Sequence, residues 1–354
     1  MDARAAASIV TALLASAACR APRAVTPAPP LEGTPLTVGL RTHATRVEVL
    51  ADGEAFATVQ LADAEGPCID PLVARGGAAV TRGVPRDRAA DDSADNAVDH
   101  PHHRSFWFAH GDVDGHDFWH GPARIEVVGH TVGVQSLSVA TVELELVWRT
   151  AEARALVHER RRLTFHAEEG LRWVDCEHTL EAADNAAVFR DTKEGTFALR
   201  LAPTLASEGA GATGRLFDSE GRGGGDVWGQ RATWCAVTGQ VADAAGRARE
   251  VTVAVLEHPS NPDAPTRWHA RTYGLLAANP FGKAAFGQRS LEADGSRGLS
   301  RGERLVLRYR VLLGDGPLSA ERLEREAARY ASDLEAGSLV DSATPARAPG
   351  SPLS

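Results

Sequence analysis

The 354-residue chain carries a net charge of −9, with 43% apolar and 24% charged residues. That balance belongs to a folded protein with enough apolar mass for a large core. An acidic chain with no basic run and no zinc-finger spacing argues against nucleic acid as a partner.

The first element stands outside the fold. "MDARAAASIVTALLASAAC" sets an arginine near the start, an apolar run from Ala5 to Leu14, and small residues ahead of Cys19. This is the layout of a secretory signal over residues 1–19, too short to span a bilayer. Cys19 behind Ala17 and Ala18 resembles a lipoprotein cleavage site, although Ser16 stands where leucine is usual. The expectation is an exported, periplasmic or cell-surface protein whose one membrane attachment is a lipid on Cys19. Residues 20–35 are rich in proline and alanine and read as a semi-rigid tether. With Cys19 used as an anchor, Cys68, Cys176 and Cys235 remain; their separations fit no zinc pattern and allow at most one disulfide.

From Leu36 onward the dominant pattern is alternation. "LTVGL", "TRVEVL", "RIEVVGHTVGVQ", "LSVATVELELVW", "LRWVDCEHTLEA", "EVTVAVLEH" and "RLVLRYRVLLG" place apolar residues at every second position. Strands of this kind bury one face, which suits antiparallel sheets packed face to face. Their spread predicts an all-β protein, one large antiparallel β-sandwich over residues 36–335. "GAGATG" at Gly209–Gly214 matches a dinucleotide fingerprint in form only; Pro203 and "GRGGGD" around it make it a loop. Near the end, Leu323, Ala327, Tyr330 and Leu334 repeat at helical spacing with Ser319 as cap, so the domain closes with a helix. Residues 336–354 read as a disordered tail.

Three stretches carry chemistry. "DHPHHRSFWFAHGDVDGHDFWH", Asp99 to His120, holds six of the thirteen histidines. If extended, it sets His100, His102 and Arg104 on one face, and Asp99 and His103 on the other. "GDVDG" predicts a reversal, with "HDFWH" returning antiparallel and bringing His116, Asp117 and His120 back beside the first group. Phe106, Trp107, Phe108, Phe118 and Trp119 would wall the cluster. Two chemistries fit it. Imidazoles with a carboxylate bind transition metals, for which His100, His103 and His120 are the candidate ligands of a divalent metal. Alternatively, histidines beside an acid and an arginine move protons on a bound substrate. Asp112, Asp114 and Asp117 look like a calcium loop, but Ala123 stands where its last acid belongs, so a turn is expected.

In "FRDTKEGTFALRLAP" a polar step at Arg190, Asp191, Lys193 and Glu194 precedes a strand. A carboxylate flanked by cations stays ionised and can act as base or hydroxyl acceptor. In "EHPSNPDAPTRWHARTYGLLAANPFG", His258, Trp268, His269, Arg271 and Asn279 lie in a Pro-rich frame of the kind that holds sites. Extended, "TRWHAR" points His269 and Arg271 to one side and Trp268 to the other, into packing.

These three stretches resemble signatures of a bacterial family known as PmoA-like, or methane oxygenase PmoA, over residues 40 to 315. No apolar run of about 18 residues follows the signal segment, so a membrane monooxygenase subunit is not what the resemblance implies. It implies a soluble, exported supersandwich of the galactose mutarotase-like kind, in which sugars bind in a cleft on a sheet. The motif positions point to His100, His102, His103, Arg104, Asp112, Asp117, Glu194, His269, Arg271 and Asn279. The chain departs from the family pattern in three places. "WCAVTG" lacks an acid–tyrosine pair at Cys235–Val237, Ser105 replaces a glycine, and Asp114 stands where asparagine is common.

The reading that follows is an exported carbohydrate-active enzyme, an epimerase, lyase or hydrolase. His100, His102, His103, Arg104, Glu194, His269 and Arg271 are its acid–base machinery. Trp107, Asp112, Asp117, Trp119, Trp268 and Asn279 are its substrate contacts. A non-catalytic surface glycan-binding protein and a metal-dependent oxidoreductase are the alternatives.

Overall fold

The computed structural model describes residues 33–62, 66–84, 100–287 and 294–341, with the backbone alone for 334–341. The signal segment with Cys19, the tether through residue 32, Asp99, the Leu334 side chain and the tail beyond 341 lie outside the described residues.

Alternation in the sequence becomes alternation in burial. In the strand Leu171–Ala182, Val174, Cys176, His178 and Leu180 are buried between two sheets, while Asp175, Glu177 and Thr179 are half-buried on the other side. All seven alternating segments form strands. One eight-stranded antiparallel sheet runs, in spatial order, Arg215–Asp218, Trp234–Ala242, Ala248–Glu257, Arg304–Gly314, Leu171–Ala182, Ala155–Glu168, Val139–Arg149 and Arg124–Ser136. The nine-stranded sheet facing it runs Val38–Thr42, Arg46–Ala51, Glu54–Gln60, Cys68–Ala74, Phe106–His110, Gly195–Arg200, Leu275–Asn279 and Arg267–Trp268, with Ala78–Ala79 added beside Cys68–Ala74. The protein is an all-β sandwich with one C-terminal helix.

Aromatic pairs bridge the sheets: Phe56 meets Phe165 at 5.7 Å, Phe197 meets Tyr309 at 4.5 Å, and Phe108 stacks on His178 at 3.9 Å. Each such ring contributes about 1.5–3 kcal/mol by burial. The core also holds an ionic knot. Glu159 accepts hydrogen bonds from Trp148 Nε1 (2.8 Å), Arg161 Nε (2.7 Å) and His178 Nδ1 (2.9 Å). Cys68, Cys176 and Cys235 are all buried and none is in a disulfide.

The helix Ala320–Asp341 starts where its cap predicts, with Ser319 Oγ accepting from the Arg322 N–H at 3.2 Å. Leu323 and Tyr330 press on Trp173, Trp234, Leu256 and Leu312, across the outer face of the eight-stranded sheet. The helix runs past residue 335 to Asp341, so the segment read as tail begins as helix. "GAGATG" is a turn. Among the described residues no helix is long and apolar enough to cross a membrane.

Candidate functional site

Phe106–His110 is the strand that builds the site. Phe106 and Phe108 face the core, so Trp107 between them faces outward. In register beside Trp107 lies Ala198, then Ala277, and the His269 N–H donates to the Ala277 carbonyl at 2.8 Å. Trp107 and His269 thus sit on one outer face with two alanines between them, small enough for other rings to lie over the sheet.

The chain entering this strand is a turn, not an extended arm. His103 N–H donates to the His100 carbonyl at 3.0 Å, and His100 (φ 52°) and Ser105 (φ 58°) are both left-handed. The predicted split of His100 and His102 from His103 therefore fails: the turn gathers all three rings. His100 stacks on His103 at 4.8 Å, and His102 meets His103 at 4.6 Å. Ser105 and Asp114 (φ 52°) both hold a conformation that glycine and asparagine tolerate best.

The reversal at Asp112–His116 forms as expected, closed by paired hydrogen bonds between Val113 and His116. "HDFWH" returns without becoming a regular strand, because Cys68–Ala74 and Gly195–Arg200 already occupy both edges of Phe106–His110. The return still delivers His120, whose ring lies 4.2 Å from that of His102. Asp117 follows it, with Oδ2 3.1 Å from His120 Nδ1, while its Oδ1 accepts from the Trp119 and His120 N–H groups. His116 does not join; it faces Arg154 at 3.3 Å.

The second and third stretches converge on the same face. Glu194 Oε2 lies 4.0 Å from His269 Nδ1, and Glu194 Oε1 is paired with Lys193. The His269 ring hydrogen-bonds the Lys193 backbone, which leaves Nδ1 as its unpartnered nitrogen. As predicted, Trp268 turns the other way and is fully buried, donating to the Ala232 carbonyl at 2.9 Å. Arg271 lies 5.7 Å over Tyr273 and 5.8 Å over Trp228. Tyr273 also stacks on His100 at 4.6 Å and carries Arg200 at 4.5 Å.

Several expected roles change. Trp107, Trp119 and Trp268 are 2%, 1% and 0% exposed, so they support the cluster and offer no open stacking face. Beside the cluster, Tyr273 and Trp228 are half-buried. Asp112 caps its own turn through the Gly115 N–H at 2.8 Å. Asn279, 1% exposed, accepts from Phe281 and Gly282 N–H and donates to the Thr192 carbonyl at 2.8 Å, positioning the segment that carries Glu194. Arg104 is buried with its head against Gly66. The cations whose charge reaches His103 are Arg200 and Arg82. His258 is remote, packed on Tyr330 of the helix. Asp191 is a loop anchor, accepting from Lys283, Ala284, Ala285 and Gly295 N–H groups. The stacking of His100 on His103 keeps the ring planes 13° from parallel, which does not converge their nitrogens on one point. Among the described residues no group of three or more His, Cys, Asp or Glu side chains is arranged to hold a metal ion. His100, His103 and His120 are therefore not assembled as a ligand set.

Arg200, Tyr273 and Trp228 were missed by sequence reasoning. Arg200 and Tyr273 lie within the quoted stretches, but only register brings them to this face. Trp228 comes from the glycine-rich loop region.

Protonation divides the cluster. Burial, with the charges of His120 and His100, pushes His102 down to about 4. Burial pushes His269 down to about 4, against the pull of Glu194. His120 moves up because its ring hydrogen-bonds to the Asp117 carboxylate, which stabilises the protonated form. Burial alone would raise Glu194, but the Lys193 hydrogen bond and the charge of His269 outweigh it and hold the carboxyl low. At neutral pH the face presents neutral imidazoles, an ionised carboxylate, and a His120 that keeps its proton longer than an ordinary histidine.

The fold and site define a β-sandwich protein with an imidazole-rich polar cluster on the outer face of one sheet. Ala236, under the helix, and Val237, in the core, lie away from this cluster. Residues 46–328 match the family model described as a family of unknown function, DUF6807, and the chain belongs to that family. Among curated proteins none matches.

Proposed function

We propose that this face is the active site of an exported enzyme acting on a sugar or sugar derivative by acid–base catalysis. The observation that carries the reading is the divergence of His120 from His102 and His269 within one cluster. Titratable neighbours whose environments push their pKa values apart are suited to opposite roles. His120, with Asp117 behind it, is the proton donor. Glu194, half-buried, is the base, with Nδ1 of the buried His269 4.0 Å from its Oε2, beyond hydrogen-bond reach. Arg271 and Lys193, both exposed, orient an anionic or oxyanionic group, and the half-buried Trp228 supplies an apolar face to a sugar ring. The three stretches that resemble the PmoA-like signatures supply most of these groups.

The test is proton transfer itself. The full chain is incubated in D2O with a panel of glycosides, uronic acids and keto-sugars, and followed by NMR for deuterium incorporation, elimination or hydrolysis. Glu194→Gln should lose turnover by about 10²-fold or more while still binding the substrate. Binding without turnover by the unaltered protein would sink the catalytic reading and leave a glycan-binding module. Turnover undiminished in both Glu194→Gln and His120→Gln would remove this face as the site.

A further inference from the structure

Four strands end the two sheets, and they are not alike. Val38–Thr42 and Arg267–Trp268 close the nine-stranded sheet, and Arg215–Asp218 closes one side of the eight-stranded sheet. These run for five, two and four residues, and each carries an arginine. Short length and charged side chains keep a sheet edge from pairing with other chains. The fourth edge, Arg124–Ser136, is thirteen residues long. From Val127 to Val139 this strand and the turn after it hold no Asp, Glu, Lys, Arg or Pro.

Exposed apolar surface is concentrated on the same edge. Every residue from His130 to Leu137 is exposed. Val128, Val132, Val134 and Leu137 are 56%, 41%, 60% and 83% exposed, and among the described residues no other large apolar side chain is exposed. The segment is also held in place. Its pairing with Val139–Arg149 is regular from Gly129 to Val134, between irregularities at Val127/Gly129 and Val134/Ser136. The Leu137 carbonyl accepts from the Val38 N–H at 2.8 Å, which ties the turn to the other sheet. Among the described residues no strand lies beyond this edge, so its outward N–H and C=O groups are available for pairing.

Such an edge is completed by another strand. The chain's own ends are poor candidates. Pro22, Pro27, Pro29, Pro30 and Pro35 interrupt one, and Pro345, Pro349 and Pro352 the other, and each proline removes a ladder donor. A second copy fits. An antiparallel pair is symmetric about a two-fold axis normal to the sheet, so one edge can pair with itself. With the axis at Thr131, Val132 lies opposite His130 and Val134 opposite Val128. Chains of net charge −9 repel, and at this stretch two copies meet with no like charges opposed.

We propose that the protein forms a two-fold dimer by antiparallel pairing of its Gly129–Val134 edges, with the axis within His130–Val132, joining two eight-stranded sheets into one. The interface is small, below about 1,200 Å² in total, so the dimer is a weak one. An axis normal to the sheet turns both histidine faces to the same side, where a repeating glycan would meet two sites at once. That consequence, unlike the pairing, rests on the function proposed above.

The full chain carrying Cys19→Ser is followed by sedimentation equilibrium from about 5 to about 500 μM, and half-dimerisation is expected at about 10–100 μM. Val132→Lys and Val134→Lys, at exposed positions, should each raise that midpoint at least about tenfold without changing the melting temperature. His130→Cys, Thr131→Cys and Val132→Cys are made singly and oxidised. At least one should give a disulfide-linked dimer, since residues opposed at the axis have Cβ atoms about 4.5–5.5 Å apart and the remaining cysteines are buried. This cross-link decides the matter should a lysine variant lower the melting temperature. A monomer at every concentration would overturn the proposal and leave the edge to a strand of another protein. So would a dimer undiminished in both lysine variants, or the absence of a cross-link in all three cysteine variants. None of these readouts involves turnover, so their failure leaves the reading of the histidine face standing.

Discussion

Replacing Glu159 by glutamine keeps its volume and removes its charge, at a side chain with 0% exposure. The carboxylate accepts two hydrogen bonds from Arg161, at 2.7 and 3.1 Å, besides those from Trp148 and His178. Arg161 is only 5% exposed, so the substitution strands its guanidinium in the core. Breaking one partner of such a buried pair costs about 3–5 kcal/mol. A protein of ordinary stability holds about 5–15 kcal/mol in all, so the loss is a large fraction of it. Removing both charges is different: a Glu159→Leu/Arg161→Met pair discards the desolvation penalty along with the attraction, and should fall closer to the parent than Glu159→Gln does.

Acid gives an independent reading of the same knot. Burial would raise Glu159, but Arg161 and His178 hold it down to about 2, so its stabilisation is present above the ordinary carboxylate range and is lost as pH falls toward 2. Burial lowers His178 to about 4, so the unfolded chain takes up that proton first, and stability is lost as pH falls from about 6.5 to about 4. Both losses have the same sign, and the Leu/Met pair should flatten the part due to Glu159. Guanidinium titrations followed by tryptophan fluorescence, at pH 7.5 and at steps down to about pH 2.5, measure all three proteins. A Glu159→Gln loss below about 1 kcal/mol, or a double variant worse than the single one, would refute the account.

Ser105→Gly relieves a left-handed backbone and removes a buried hydroxyl that has no partner, so a gain of about 0.5–1 kcal/mol is expected in the same titration; a loss would mean that the side chain holds the turn. Burial raises Glu257 to about 7, so the folded state keeps a proton that the unfolded chain releases, and stability from this group falls as pH rises from about 4.5 to about 7. The difference in stability between the parent and Glu257→Gln should change by about 3 kcal/mol across that window, and a flat difference would contradict it. A Cβ on Gly195 would stand 2.5 Å from Nδ1 of the buried His110, so Gly195→Ala should cost about 1–3 kcal/mol in thermal unfolding and disturb the neighbouring Glu194. An unchanged melting temperature would show that His110 can yield.

How much was legible in the sequence differs between fold and site. Alternation in segments such as "TVELELVW" determined strands and, through their one buried face, a sandwich, because side chains in a strand alternate with a period of two. The same rule turned Trp268 inward and His269 outward. Ser319 marked the start of the helix, since its oxygen satisfies an N–H that nothing else in the helix can reach. Local rules could also see the reversal at Asp112–His116, whose aspartates and glycines favour it.

What they could not see was the company each segment keeps. Pro101 suggested an extended arm, but His100 and Ser105 adopt left-handed conformations and fold the three histidines together. Asn279 and Asp112 read as ligand contacts because polar residues in loops look alike until their hydrogen bonds are counted. Arg200 and Tyr273 reach the histidines only because strands distant in sequence lie side by side. The pKa values diverge for the same reason: desolvation and neighbouring charge are properties of position in space, and the order of residues along the chain does not carry them.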